Sequence, residues 1–140
     1  MPIIGTHFTK INVENKRKGM RNLKVNNNLG ISNIEKMDLE LGSAKQSGVR
    51  FVFEYTTKYE PDAAEMIFEG EVLFIEDEKK VAEILNNWKD KKPIDDDIMA
   101  RVMNSALTKS TIKALSLSQD MNLPAPVKLP KITKKEEAKQ

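Results

Sequence analysis

VRFVFEYTTKYEPDAAEMIFEGEVLF, residues 49–74, decides the fold. Val49, Phe51, Phe53, Tyr55 and Tyr59 alternate with Arg50, Glu54 and Lys58, and beyond Glu60-Pro61-Asp62 the alternation resumes. There Ala64, Met66, Phe68, Val72 and Phe74 are set against Glu65, Glu69 and Glu71. Side chains along a strand point to opposite faces with a period of two, so each half reads as a strand with one apolar and one charged face. Proline pre-sets the backbone for a turn between them, and the whole predicts a long antiparallel hairpin. Val52, Ile67, Leu73 and Ile75 depart from the pattern and place apolar area on the charged face.

Upstream, residues 8–14 predict a short strand with Ile11 and Val13 on one side and Lys10, Asn12 and Glu14 on the other. Residues 15–30 read as a long, polar, irregular crossover whose Met20, Leu23, Val25 and Leu29 need cover, and connections of that length are usually functional or mobile. Residues 34–41 predict a further strand, with Met37, Leu39 and Leu41 facing the core and Lys36, Asp38 and Glu40 facing out.

After Ile75 the period changes from 2 to 3.6. Asp77 is placed to cap a helix that carries Val81, Ile84, Leu85 and Trp88 on one stripe and ends in Lys89-Asp90-Lys91-Lys92, basic charge where a helix C-terminus favours it. Pro93 separates it from a second helix that starts at Asp95-Asp96-Asp97 and runs to Met121, about 40 Å in length. A compact domain of this size is about 37 Å across, so part of the second helix is expected to pack on a partner subunit or line a groove. Its apolar residues, Ile98, Met99, Val102, Met103, Ala106, Leu107, Ile112, Leu115, Leu117 and Met121, exceed one sheet-facing stripe. In Leu123-Pro124-Ala125-Pro126-Val127-Lys128-Leu129-Pro130 the prolines forbid helix and impose extended geometry against the body of the protein. Residues 133–140 read as a disordered basic tail, which leaves 1–132 as a single α+β domain with a four-stranded antiparallel sheet and two helices on one face.

Composition narrows the function. The chain has 140 residues, 39% hydrophobic and 31% charged, which suits one well-solvated domain with a real core. Cysteine is absent, which removes disulfides, thiolate catalysis and Cys-ligated metal and fits a reducing cytoplasmic compartment. A single histidine, His7, argues against Ser-His-Asp and multi-His metal sites. No apolar run approaches the roughly 20 residues of a membrane span, and the first residues lack a signal-peptide pattern. There is no Gly-rich phosphate loop and no G-x-S-x-G elbow. Asp95-Asp96-Asp97 is better explained as a helix cap than as a metal site, and Glu65, Glu69 and Glu71 as a polar outer sheet face than as a carboxylate pair for catalysis. The expectation is a binding protein with no catalytic site, no cofactor and no metal.

The net charge of +2 is too balanced to argue nucleic acid or membrane. Lys16, Arg17, Lys18, Arg21 and Lys24 nevertheless cluster early, and Lys128, Lys131, Lys134 and Lys135 late. They leave open an RNA- or ribosome-associated protein, and a pocket between helix and sheet leaves open a small-ligand domain. Met99 and Met103 share a helix face; methionine fills gaps in cores and is also over-used on surfaces that accept many partners.

The order of elements, the helix from Ile98-Met99-Ala100-Arg101-Val102 onward and the segment Leu123 to Pro130 together resemble the SecB chaperone family. That family includes the export chaperone, archaeal relatives and chaperones of toxin–antitoxin systems. The resemblance implies a four-stranded antiparallel sheet with a crossover, assembly as a dimer of dimers, and nucleotide-independent holding of unfolded polypeptide in apolar grooves. Carried onto this chain, it implies client-binding residues Leu23, Val25, Leu29 and Ile31 in the crossover, Ile34 in the second strand, and Met99, Met103 and Leu107 in the second helix. It also implies an acidic partner face of Asp38, Glu40, Glu54, Glu65, Glu69 and Glu71, like the one SecB offers its motor SecA. The chain departs from the family in being slightly basic, with Lys134 and Lys135 where SecB's tail is acidic, so coupling to SecA does not carry over.

Overall fold

The computed structural model describes residues 3–16, 22–42, 44–130 and 132. Four strands, β1 (Ile3–Asn15), β2 (Lys24–Leu41), β3 (Ala44–Glu60) and β4 (Ala64–Ile75), precede two helices, α1 (Glu78–Lys89) and α2 (Asp96–Asp120). Every pairing is antiparallel and the order across the sheet is β1-β4-β3-β2, so the chain crosses from one edge to the other between its first two strands. Both helices lie on the face made by the apolar set of the β3–β4 hairpin. Residues 133–140, expected as a tail, lie outside the described residues.

The sheet is organised around a glycine. Gly70 on β4 is paired with Phe8 on β1 and with Phe53 on β3. A Cβ there would stand 2.5 Å from the His7 carbonyl oxygen and 2.6 Å from Phe53 Cζ. The room left by the missing side chain is taken by aromatic rings: Phe8 meets Phe53 edge-on at 6.2 Å and Phe68 at 5.5 Å, and Phe68 stacks on Tyr55 at 5.5 Å. Such arrangements add to the area they bury. Phe8 and Leu29 pack against both halves of the core. The first half gathers Val49, Phe51, Phe53, Val72 and Phe74 under Val81, Ile84, Ile98 and Val102; the second gathers Tyr55, Tyr59, Met66 and Phe68 under Ala114 and Leu123.

Size complementarity seats α2. Its buried residues recur every fourth position, Ile98, Val102, Ala106, Ser110, Ala114 and Ser118. The small members lie toward the end that meets the large aromatic residues of the second half, so bulky sheet positions face small helix positions and the two surfaces interlock. Asp77 accepts from the Lys80 amide at 2.8 Å and Asp95 from the Asp97 amide at 2.9 Å, so both helices begin at side-chain caps. Hydrogen bonds from the Ile98 and Asp97 amides hold the Asp95 carboxyl below the usual carboxylate range. Left-handed residues close both helices, Lys91 at φ 57° and Asn122 at φ 54°, with Lys92 N–H to Asn87 O and Leu123 N–H to Ser118 O each at 2.8 Å.

Two expectations are corrected. Residues 24–30, read as irregular crossover, form the first half of β2 and pair with β3 from Lys24↔Glu60 onward. Asparagines and glycine are poor strand formers alone, but a ready-made β3 edge offers them a ladder, and tertiary pairing overrides propensity. The facing of residues 36–40 is also inverted. A bulge between Ile31 and Asn33 shifts the register, so that Lys36 pairs with Val49 and Asp38 with Ser47 on the helix-bearing side, while Met37 pairs with Gly48 on the other. One extra residue exchanges the two faces of everything beyond it. Asp38 and Glu40 therefore do not share a face with Glu54, Glu65, Glu69 and Glu71.

Replacing Gly70 by Ala is expected to destabilise the protein by about 1–3 kcal/mol, the range for forcing extra volume into a packed core. Urea denaturation measures it as a fall in midpoint at unchanged slope; an unchanged midpoint would mean that the aromatic row can move apart.

Candidate functional site

One flank of α2 is fastened to β1. The hydroxyls of Ser105 and Thr6 are 2.7 Å apart, and the Lys109 ammonium donates to the Thr6 carbonyl and stands 5.9 Å from the centroid of the Phe8 ring. Successive helix residues advance about 100°, so positions just after the buried row lie on the opposite flank from Ser105 and Lys109. Met99, Met103 and Leu107 each follow a buried residue, Ile98, Val102 and Ala106, and therefore face away from β1, toward the β2 side of the sheet. Met99 is half-buried against the first half of the core, Met103 is half-buried and Leu107 is 43% exposed. Across from them, half-buried Leu29 and Ile31 of β2 pack against the same part of the core. Together these residues make an apolar, methionine-bearing strip on the helix-bearing face between β2 and α2.

The C-terminal segment lies as a strap on the helix-bearing face. Asn15 Nδ2 donates to the Met121 carbonyl at 3.0 Å, the Tyr59 hydroxyl to the Pro124 carbonyl at 2.5 Å, and Asn27 Nδ2 to the Pro126 carbonyl at 2.8 Å. Asn27 Oδ1 in turn accepts from Thr57 at 2.7 Å and Tyr55 at 3.2 Å. Three strands thus hold a segment whose prolines offer carbonyls but no N–H groups. Leu123 and Pro126 are buried, and beside them a cavity of about 770 Å³ is lined by Val25, Ala125, Pro126, Val127, Lys128 and Leu129.

The client-binding residues expected from the sequence are therefore distributed. Leu29, Ile31 and Met99 meet at the first half of the core; Leu23 and Val25 pack against the second, near the strap. Met103 and Leu107 share one flank of α2. Ile34 is 5% exposed and belongs to the core rather than to an accessible surface. The extended segment against the body of the protein is legible in the sequence, but its anchors Asn27 and Tyr59 are not, because an asparagine in a polar stretch and an anchoring hydroxyl on a core tyrosine carry no distinguishing signal.

On the opposite face Glu71 is bound by His7 at 2.8 Å and by Arg50 at 2.9 Å, Arg50 also reaches Glu35 at 3.2 Å, and Lys10 stands 3.7 Å from Glu69. Glu54 lies opposite Glu69 and Glu65 opposite Lys58. Among the described residues no group of three or more Asp, Glu or His is arranged to hold a metal ion, and no helix is long and apolar enough to cross a membrane.

No family model matches the chain, and no curated protein matches it. Among solved structures it is similar to the Mycobacterium tuberculosis SecB-like chaperone Rv1957 in complex with a ChAD peptide from the Rv1956 HigA1 antitoxin. The TM-score is 0.52 at 12% identity, over 95% of this chain and 91% of that one. The chain has the SecB-like fold.

Burial, followed by the charge of Tyr55, pushes the Tyr59 hydroxyl up to about 12. An acid whose folded pKa is raised contributes stability that is present below its unfolded pKa, about 10, and is lost as pH rises toward the folded value. Wild type is expected to lose about 1 kcal/mol more than Tyr59→Phe between pH 9 and pH 11, while at pH 7 the variant is weaker by about 1 kcal/mol for the missing bond to Pro124. Urea midpoints at the three pH values check both signs.

Proposed function

We propose that this protein is an ATP-independent holdase that binds unfolded or non-native polypeptide in the groove between β2 and the Met99–Met103–Leu107 flank of α2. The observation that carries the reading is an incompletely covered apolar strip: half-buried Leu29, Ile31, Met99 and Met103 and a 43% exposed Leu107. Methionine's unbranched thioether adapts to varied shapes, which suits a site that accepts unrelated sequences. The neighbour in fold is a chaperone solved with a peptide from an antitoxin, which supports polypeptide as the ligand class here and a non-enzymatic role. An RNA partner would want exposed aromatic rings for stacking, whereas Phe51, Phe53, Phe68 and Phe74 are all at 1% exposure or less.

The same reading includes a single domain with a basic tail at 133–140, a cytoplasmic location, and assembly as a dimer of dimers. Ile4 and Ile11 on edge strand β1 and Ile112 on α2 are 44%, 45% and 63% exposed, surface that a second copy would cover. Glu54, Glu65, Glu69 and Glu71 form the acidic partner face, with Asp38 and Glu40 removed from it. Glu69 and Glu71 are already engaged by Lys10, His7 and Arg50, so docking of a SecA-like motor is not part of the proposal.

Purified protein is expected to suppress the turbidity of a chemically denatured client without nucleotide. Leu107→Asp and Met103→Asp are each expected to weaken capture about tenfold, because the introduced charge must be desolvated on binding. Circular dichroism should remain that of wild type. Failure of wild type at several-fold excess over several clients sinks the holdase reading. Light scattering coupled to size exclusion is expected to give a mass above that of the monomer; a monomer at tens of micromolar would remove the assembly.

A further inference from the structure

We propose that the client is bound as an extended strand hydrogen-bonded to the free edge of β2 along residues 24–31, with alternate side chains seated in the cavity beside the strap. This rests on the polypeptide-binding reading above and specifies which polypeptide segments that site takes.

β2 is the last strand in the order β1-β4-β3-β2, and among the described residues no strand pairs with its outer edge. From Lys24↔Glu60 to Ile31↔Phe53 its register with β3 runs without a shift, and the bulge comes only afterwards. The segment is therefore regular, about 26 Å long, and presents outward N–H and C=O groups at every second residue. Exposed edges are ordinarily blunted by proline, by bulges or by charge along the strand. Lys24-Val25-Asn26-Asn27-Asn28-Leu29-Gly30-Ile31 holds no proline and a single charge at its first position.

The strap stands beside this edge without completing it. Pro124, Pro126 and Pro130 have no N–H to give, and the carbonyls of Pro124 and Pro126 are taken by the Tyr59 and Asn27 side chains rather than by the β2 backbone. What the strap supplies is a wall: Ala125, Pro126, Val127, Lys128 and Leu129 line, together with Val25, about 770 Å³ of open space. The register places Val25, Asn27, Leu29 and Ile31 on the helix-bearing side, with the Asn27 amide turned to the strap, and Asn26, Asn28 and Gly30 on the other. A strand added here would meet a surface that is apolar except at Asn27 with one set of alternate side chains, and polar surface with the other. The preferred client is an extended segment of alternating apolar and polar residues, and segments that are helical or interrupted by proline are excluded. A purely hydrophobic trough would make no such distinction.

The test uses the full chain and a labelled ten-residue peptide of alternating apolar and polar residues, with affinity read by fluorescence anisotropy. Two versions carry backbone N-methyl groups at alternate positions, one set at the apolar residues and one at the polar residues. Because a one-residue slip would turn the apolar side chains to the polar face, the peptide cannot escape by shifting register. One version is expected to lose about tenfold or more, as two or more backbone bonds go, and the other to stay within about twofold. Hydrogen exchange should show new protection at alternate amides within residues 24–31. Equal binding of all three peptides, equal loss in both methylated versions, or protection elsewhere overturns the strand pairing. If the parent peptide fails while denatured clients bind, the alternating class is wrong; if neither binds, the polypeptide-binding reading falls and takes this one with it.

Discussion

At the centre of the sheet Gly70 stands between Phe8 and Phe53, and the rings occupy the volume that a side chain would have claimed. That arrangement ties the N-terminal strand to the β3–β4 hairpin, because a β1 displaced from β4 would leave Phe8 without the core it packs against. Once β1 is fixed on the β4 side, the only free edge of the hairpin is that of β3, and the chain must cross the sheet to reach it. The crossover and the pairing of β2 on β3 both follow from which side the first strand takes.

The second organising feature is the match of sizes between α2 and the sheet. Tyr55, Tyr59 and Phe68 are bulky, and Ser110, Ala114 and Ser118 toward that end of the helix are small, so the two surfaces fit. Its two flanks are then put to different uses. Ser105 and Lys109 fasten it to β1, which leaves Met99, Met103 and Leu107 directed at the side of the sheet where β2 ends the ladder. Beyond the helix, a segment poor in backbone donors is held by side-chain donors from three strands. Buried polar groups need partners, and Asn15, Asn27 and Tyr59 supply them while the strap's apolar residues remain available to form a wall.

The face away from the helices carries a mixed surface. The bulge after Ile31 sends Met37 across Gly48, where a Cβ would come within 2.9 Å of the Met37 methyl, and the neighbouring Leu73 and Ile75 share that side. Further along the same face Arg50 bridges Glu35 and Glu71. The charge there is largely internal to the sheet, exposed pairs of this kind contribute little to stability, and they set local orientation more than they anchor the fold.

Much of the molecule was legible in the sequence. The alternation through residues 49–74 determined the hairpin, the change of period after Ile75 determined two helices, and Asp77 and Asp95 marked where they begin. These are local signals, because the period of a strand or helix and the chemistry of a cap are set by residues close together in the chain. Tertiary structure alone decided the rest. Lys24 to Gly30 became strand because β3 offered an unpaired edge, not because Asn26, Asn27 and Asn28 favour one. A single bulge, invisible to any count of alternating residues, turned Asp38 and Glu40 to the helix-bearing side and buried Met37 on the other. The apolar residues of β2 and α2 could be named from the sequence, but whether Ile34 lay at the surface or beneath it depended on α1 and the start of α2 covering that end of the sheet. Contacts between residues far apart in the chain choose among conformations that the local pattern leaves equal, and for that reason the elements could be read from the sequence while the site they enclose could not.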